Sequence, residues 1–179
     1  MKPHFLQTVL LLLCTMLITA PCFAQQPKED AARDATHEKL RLVLVDAGPK
    51  LNIDFHPSLK NPYNFTGSLS TGLTYADSLE IVITVTASST IAFRVYPHYK
   101  GGYINVVKAA DGPGLMHKLL QLNDTNFLFW GADDTDDVFA GYTITLESGF
   151  PTEAINVVLN SIPLQDKYVG ECKPFVDPK

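Results

Sequence analysis

The chain has 179 residues, with 14 basic and 19 acidic side chains and a formal charge of −5. This length suits one ordinary domain and is enough to bury a hydrophobic core. An acidic surface repels phosphate groups, and no run of Lys and Arg interrupts it, so nucleic acid and anionic membrane surfaces are not expected partners.

Residues 1–24 have the order of a secretory signal peptide. Lys2 precedes an apolar run, and the small-residue stretch APCFA ends just before Gln25. The run is shorter than the ~20 apolar residues that a membrane-spanning helix needs. We therefore expect cleavage before Gln25 and a periplasmic or secreted protein, whose formal charge becomes −6 because Lys2 is lost with the leader. A retained membrane anchor and a lipid anchor on Cys22 are the alternatives.

The expected mature protein keeps a single cysteine. Cys14 and Cys22 lie in the predicted leader, so Cys172 remains and no internal disulfide can form. An inert, partly buried thiol and intermolecular pairing are both open for this residue. Catalysis by Cys172 is not expected, because an activated thiol needs a nearby base or cation and no such signature surrounds it.

The mature chain is predicted to have three parts. These are a polar tether over residues 25–38, a β-sandwich domain over residues 39–165 and an irregular C-terminal tail over residues 166–179. This segment is charged and lacks large apolar side chains, so a tether and a frayed helix are both open for it. The domain opens with KLRLVLVD, in which every second residue is Leu, and this period of two predicts a half-buried strand.

The strongest strand signal covers residues 79–108. Three β-branched runs, 79–87, 91–97 and 102–108, predict a three-stranded meander. Alternate apolar side chains of the first two runs are expected to point into the core, namely Ile81, Ile83, Val85, Ile91, Phe93 and Val95.

One helix and three further strands complete the predicted domain. Leu115, Leu119 and Leu122 have helical spacing and predict a short helix after the DGPG break. The runs NFLFWG, VFAGYTITLE and EAINVVLNSI each favour a strand. LNIDF briefly repeats the alternation of KLRLVLVD and gives one more short strand. About eight strands and one short helix predict an all-β fold, an antiparallel β-sandwich.

Two stretches resemble a family of uncharacterised bacterial exported β-domains: DSLEIVITVTASSTIAFRVYPHYKGGYINVV and GYTITLESGFPTEAINVVLNS. In that family a strand, a hairpin with a glycine turn, and a closing strand after a Pro-x-Glu stretch follow in this order. The resemblance covers about residues 72–162. It implies an exported β-domain and brings no activity or site residues with it.

Four aspartates crowd the stretch ADDTDD: Asp133, Asp134, Asp136 and Asp137. A standard EF-hand loop starting at Asp133 would have Val138 and Ile144 where Gly and Glu are required, so that motif is absent. A non-standard calcium site made by the four carboxylates is one hypothesis, and a solvated turn between two strands is the other. No other cofactor is expected.

Aromatic residues gather at a predicted hairpin tip, YPHYKGGY. Exposed rings of this kind anchor protein partners or stack on sugars, so Tyr96, His98, Tyr99, Tyr103 and the single tryptophan, Trp130, are the candidate partner-binding residues. The competing interpretation is that some of these rings simply cover the sheet.

These features predict an exported, non-catalytic binding or accessory domain that acts on a cell-envelope or secreted partner through loops and strand edges. Two alternatives are an enzyme acting on cell-envelope polymers and a carbohydrate-binding module. Converging His, Asp or Glu side chains in a deep pocket would favour the enzyme. A flat aromatic patch would favour the binding domain.

Overall fold

The computed structural model describes residues 26–178. The chain divides into two units between Ala32 and Arg33, and of the first unit only the start of one helix is described. The predicted signal peptide, residues 1–24, lies outside the described residues. In the part of the chain that the structure describes, no helix is both long and apolar enough to cross a membrane.

Residues 26–178 form four α-helices and seven β-strands. The helices are α1 Gln26–Leu51, α2 Gly112–Thr125, α3 Thr152–Ser161 and α4 Gln165–Val176. The strands are β1 His56–Pro57, β2 Asn64–Leu69, β3 Ser78–Val85, β4 Thr90–Tyr99, β5 Gly102–Tyr103, β6 Phe129–Ala132 and β7 Val138–Thr145. All strands are antiparallel in one sheet of order β1-β2-β3-β4-β7-β6, and β5 pairs with the end of β4.

The predicted all-β sandwich is wrong. A sandwich needs two sheets packed face to face, whereas residues 26–178 form a single sheet whose apolar face is covered by helices, an α+β arrangement. Apolar side chains of all four helices join those of the sheet in one core, including Leu40, Leu44, Phe65, Ile83, Phe93, Leu119, Trp130, Leu159 and Val169.

The predicted first strand and tether are both part of α1. Leu40, Leu44 and Ala47 are buried at helical spacing, while Leu42 between them is 56% exposed. The sequence preceding them is rich in Ala, Glu and Lys, which favour helix, so α1 runs without interruption from Gln26. Leucine at every second position also fits the period of a strand, because so short a run does not distinguish a strand from a helix.

Two other segments are helices instead of the predicted strand and tail. EAINVVLNSI forms most of α3, with Ile155, Val158 and Leu159 buried on one side. The tail predicted over residues 166–179 forms most of α4, which buries Val169 and Cys172. In both segments the buried residues recur every three or four positions, as in a helix. This spacing overrides the β-branched composition of α3 and the irregular composition of α4.

The meander and the short helix are confirmed in large part. Strands β3 and β4 pair along their length, and the six side chains predicted to face the core are buried. Of the third run, only Gly102 and Tyr103 form a strand. Helix α2 covers the predicted leucines and buries all three.

Strand β4 determines which loops meet. One edge of β4 pairs with β3, and the other edge is shared by β7, up to Val95, and by β5, from His98. Because β7 and β5 pair with the same edge of β4, the β6–β7 turn lies beside the residues that follow β5. A bridge between Asn105 and Asp137 fixes this contact.

Candidate functional site

The sheet has a face that points away from the core, called here the open face. Because side chains alternate along a strand, it carries the residues of β2, β3 and β4 that lie between the buried ones. Its principal side chains are Thr66, Ser68, Glu80, Val82, Arg94, Tyr96, His98, Tyr103, Phe129 and Phe139. Every described helix contributes to the core on the opposite face.

Four aromatic rings form a continuous aromatic strip across the open face: Tyr103, Tyr96, Phe139 and Phe129. Consecutive ring centroids are 5.9 Å, 5.8 Å and 5.7 Å apart. These separations, with tilted or edge-to-face rings, are favourable for aromatic pairs. Tyr103 is 43% exposed and Phe129 46% exposed, whereas Phe139 is only 6% exposed because its neighbours cover it.

Glycine makes room for the strip. A Cβ atom on Gly141 would lie 2.9 Å from the ring of Phe129 and 3.1 Å from that of Phe139. Phe129 lies opposite Gly141 in the ladder, and Phe139 lies opposite Gly131. A larger residue at position 141 would therefore displace the two rings, whereas a Cβ atom at Gly131 would lie 3.7 Å from the Phe139 ring, an ordinary contact.

Glu80 links two side chains, Tyr103 and His98, at one end of the strip. Its Oε2 accepts a hydrogen bond from the Tyr103 hydroxyl at 2.7 Å and lies 3.2 Å from Nε2 of His98. The hydrogen bond to Glu80, together with burial, raises the pKa of Tyr103 to about 12. The imidazole of His98 also packs on the Tyr103 ring, with centroids 4.3 Å apart.

The turn before Tyr103 holds this ring in position. Lys100 and Gly101 both have positive φ angles, 55° and 79°, as a two-residue type I′ hairpin requires. The Gly101 amide donates to the carboxylate of Asp77. The turn fixes the backbone of Tyr103, and the hydrogen bond to Glu80 fixes its hydroxyl group. The ring is therefore held in one position.

A cavity of about 470 Å³ adjoins the Glu80 end of the strip. Polar side chains dominate its wall: Asp54, His56, Thr66, Ser68, Ser78, Glu80 and His98, with Gly67. Two carboxylates and two imidazoles therefore face one small volume on the open face.

The four predicted aspartates belong to the β6–β7 hairpin turn, called here the acidic turn. Asp133 is its centre, because Oδ1 accepts hydrogen bonds from the amide and hydroxyl of Thr135 and from the Asp137 amide. Asp136 has a φ of 64°, a left-handed conformation that Asp tolerates better than most residues. Burial acts to raise the pKa of Asp133, but the hydrogen bonds from Thr135, Asp137 and Tyr96 together outweigh it and lower that pKa.

The acidic turn lies beside the aromatic strip, so the two candidate sites of the sequence adjoin each other. The Tyr96 hydroxyl interacts with Asp133, and burial of Tyr96 is the main cause of its raised pKa. Asp137 contributes to the raised pKa of Tyr103. Across residues 26–178, no group of three or more His, Cys, Asp or Glu side chains has the geometry to hold a metal ion. The calcium hypothesis stays a prediction.

Three of the five predicted partner-binding residues lie together on the open face: Tyr96, His98 and Tyr103. Tyr99 lies on the helix side, where its hydroxyl donates to Asp177 at 2.8 Å. Trp130 is in the core at 3% exposure and packs edge-on against Tyr168. Neither of these two can join the aromatic strip.

Sequence reasoning missed four side chains of this surface: Glu80, Arg94, Phe129 and Phe139. Phe129 and Phe139 each lie next to core residues in their strands. Since side chains alternate between the two faces of a strand, both rings lie on the open face. An apolar ring at an outward position was the available signal. Glu80 and Arg94 had no signal of their own, since charged residues are ordinary at such positions.

Cys172 has the environment of a structural thiol. The side chain is 1% exposed, and burial raises its pKa to about 12. The thiol is therefore protonated at neutral pH and shielded from solvent, which settles the open question of its exposure in favour of the core.

Comparisons with known proteins bear on the fold alone. No family model matches the sequence, and no curated protein matches it. The structure is similar to the crystal structure of YbjN, a putative transcription regulator from E. coli, with a TM-score of 0.51 and 13% identity. The match covers 80% of this chain and 96% of that one. The resemblance to exported β-domains stays a prediction, and the similarity to YbjN is one of fold.

Proposed function

We propose that this protein is an exported, non-catalytic binding domain whose partner contacts the open face of the sheet. The observation that carries the proposal is the aromatic strip, with Tyr103 and Phe129 each more than two-fifths exposed on a face opposite all the described helices. Tyr and Phe are enriched where proteins bind one another, because a large rigid ring gains contact area at little entropic cost.

Preorganisation of the strip supports the same proposal. The Glu80 bond holds Tyr103, and the Phe139 ring is held between Phe129, Tyr96 and Arg94. Rings that are already fixed lose little freedom when a partner binds, which favours affinity. The thiol of Cys172 is buried and its pKa is raised to about 12, so this side chain is not available as a nucleophile.

The test compares two double variants in partner capture from envelope and secreted fractions. Tyr103→Ser with Phe129→Ser removes the exposed rings of the strip, and Leu120→Ser with Val157→Ser removes exposed apolar side chains from α2 and α3. A partner retained by the parent and the helix variant but lost by the strip variant is expected. Equal retention by both variants would refute a role for the open face.

Export is part of the proposal and has its own test. The basic, apolar and small-residue order of residues 1–24 supports cleavage before Gln25. Cell fractionation followed by N-terminal sequencing is expected to recover the protein outside the cytoplasm, beginning at Gln25. An intact precursor in the cytoplasm would contradict this expectation.

A carbohydrate partner is the second candidate, because of the cavity beside the strip. Hydroxyl groups of Thr66, Ser68 and Ser78 line it, close to Glu80 and His98. Sugars commonly bind where hydrogen-bonding side chains adjoin an exposed aromatic ring. Binding of a neutral oligosaccharide that is lost in Ser68→Ala would favour this candidate over a protein partner.

A further inference from the structure

The open face already binds one guanidinium group, which belongs to the protein itself. The Cζ atom of Arg94 lies 4.6 Å from the centre of the Phe139 ring, and Nη1 donates to the Tyr96 hydroxyl at 3.2 Å. This is a cation–π contact supported by a hydrogen bond. The strip therefore has the ring faces and the acceptor geometry that suit a planar cation.

The Tyr103 end of the strip repeats this arrangement without an arginine of the described residues over its ring. Tyr103 is exposed, and the Glu80 side chain beside it is 35% exposed. The hydrogen bond from Tyr103 and the contact with His98 both fall on Oε2 of Glu80, and Oε1 accepts no hydrogen bond from the described residues. The His98 imidazole packs on the Tyr103 ring, which is still 43% exposed. The exposed part of this ring and a carboxylate oxygen without a hydrogen bond thus lie at one place.

Further negative charge surrounds this position on two sides. Asp54 faces Glu80 across the cavity, and the acidic turn adjoins the strip through Tyr96 and Asp133. Asp134 and Asp136 in that turn are exposed. Arg94 is the one cation among the principal open-face side chains, and Phe139 and Tyr96 already engage it. The uncompensated charge at the Tyr103 end is negative.

From this geometry we infer that the open face binds a basic protein segment, one arginine of which stacks on Tyr103 and donates to Glu80. The inference rests on the proposed function and adds the chemistry of the partner. Arginine fits better than lysine because its planar guanidinium can stack on a ring while one of its N–H groups donates to Oε1 of Glu80, the oxygen without a hydrogen bond. Other basic side chains of the segment meet the acidic turn and Asp54.

The test titrates the purified protein with a synthetic peptide, three repeats of Gly-Ser-Arg, by isothermal calorimetry at low salt. The comparison peptide carries citrulline, which is uncharged and nearly isosteric with arginine. Glu80→Gln is expected to weaken binding of the arginine peptide about tenfold, the size of a partly desolvated cation–π and carboxylate contact. Glu153→Gln makes an equal change of charge at an exposed position of α3. It is expected to change the affinity for the arginine peptide less than twofold.

Several outcomes decide the inference. Binding that falls with rising salt, is absent for the citrulline peptide and is lost in Tyr103→Leu supports it. Equal affinity of the arginine peptide for Glu80→Gln and Glu153→Gln overturns it, as does binding of neutral oligosaccharides in place of the peptide. Thermal melts of each variant confirm that the fold is intact.

A competition experiment separates the inference from the proposed function. The arginine peptide is added to the protein while it holds the partner captured through the open face. Displacement of that partner supports the inference. A partner that depends on the strip but is not displaced by the peptide overturns the basic-segment inference and leaves the proposed function standing, whereas a partner independent of the strip removes both.

Discussion

Asp166 ties the loop before β3 to the start of α4. Its carboxylate accepts hydrogen bonds from the amides of Thr74, Tyr75 and Ala76 at 2.7 Å to 2.9 Å, and the residue is 8% exposed. Three amides converging on one buried carboxylate form a charge-assisted contact between parts of the chain that are ninety residues apart.

Removing this carboxylate is expected to destabilise the fold strongly. Asp166→Ala leaves partly buried amides unpaired and should lower the free energy of unfolding by about 3 kcal/mol. Asp166→Asn should cost less, because one amide oxygen can still accept from Tyr75 and Ala76. Urea denaturation measures both, with exposed Asp124→Ala as the control. Equal stability of the parent and Asp166→Ala would contradict the structural role.

His37 should make stability depend on pH. Its ring stacks on Phe65 with centroids 4.3 Å apart, and Nε2 is buried without a hydrogen-bond partner among the described residues. Burial lowers the pKa of His37 below 6.5, although Glu38 and Asp34 oppose the shift. Since the unfolded chain takes up the proton more readily, stability is complete above about pH 6.5 and falls as the pH drops toward the lower, folded pKa.

Chemical denaturation at pH 7.5 and at successive steps down to pH 5 measures this effect. The parent should lose stability over this range more steeply than His37→Gln. His117→Gln, which removes an exposed histidine on α2, serves as the matched control and should follow the parent. The same slope in all three proteins would exclude a contribution from His37.

At the scale of the element, α1 allows the strand and helix interpretations to be separated by experiment. On a strand, Leu42 and Leu44 would share a face, but in α1 Leu44 is buried and Leu42 is exposed. Leu44→Asp should destabilise by at least about 4 kcal/mol, because it buries an unpaired charge, and Leu42→Asp by less than about 1 kcal/mol. Thermal and urea melts provide the measurement; similar losses in both variants would favour the strand.

Strand β6 shows how an exposed sheet edge is closed. The side-chain amide of Asn123 donates to the Trp130 carbonyl and accepts from the Trp130 amide, as a neighbouring strand would. A side chain that occupies both backbone groups blocks pairing with another chain at this point.

At the scale of the whole molecule, the structure of the acidic turn predicts how the melting temperature responds to calcium. Asp133 and Asp137 already accept hydrogen bonds within the turn and from Asn105, so a metal would have to replace them. We expect the same melting temperature in millimolar calcium and in chelator. If the turn were a calcium site, a calcium concentration a hundred times Kd would raise the free energy of unfolding by about 2.7 kcal/mol.

The control for this measurement is the Asp134→Asn, Asp136→Asn double variant. It removes the two exposed carboxylates of the turn and leaves the internally bonded pair in place. A calcium-dependent rise in the parent that disappears in this variant would establish the metal site and refute the expectation.

The sequence alone determined the elements whose period was long and unambiguous. Eight or more residues of strict alternation specified β3 and β4 and the inward face of each, and leucines at helical spacing specified α2. Its patterns also identified YPHYKGGY and the four aspartates as the places where aromatic rings and charge are concentrated. These are local properties, which neighbouring residues decide.

Only the tertiary structure decided what those faces and motifs contact. Short apolar runs such as that around Leu42 and that of α3 fit two periods, and burial against the sheet selected the helix. Trp130 and Phe129 are adjacent in sequence, yet one is in the core and the other on the open face. Tyr103, Glu80 and the acidic turn meet because β3 pairs with one edge of β4 while β5 and β7 share the other, and strand pairing over such distances is not encoded in any local pattern.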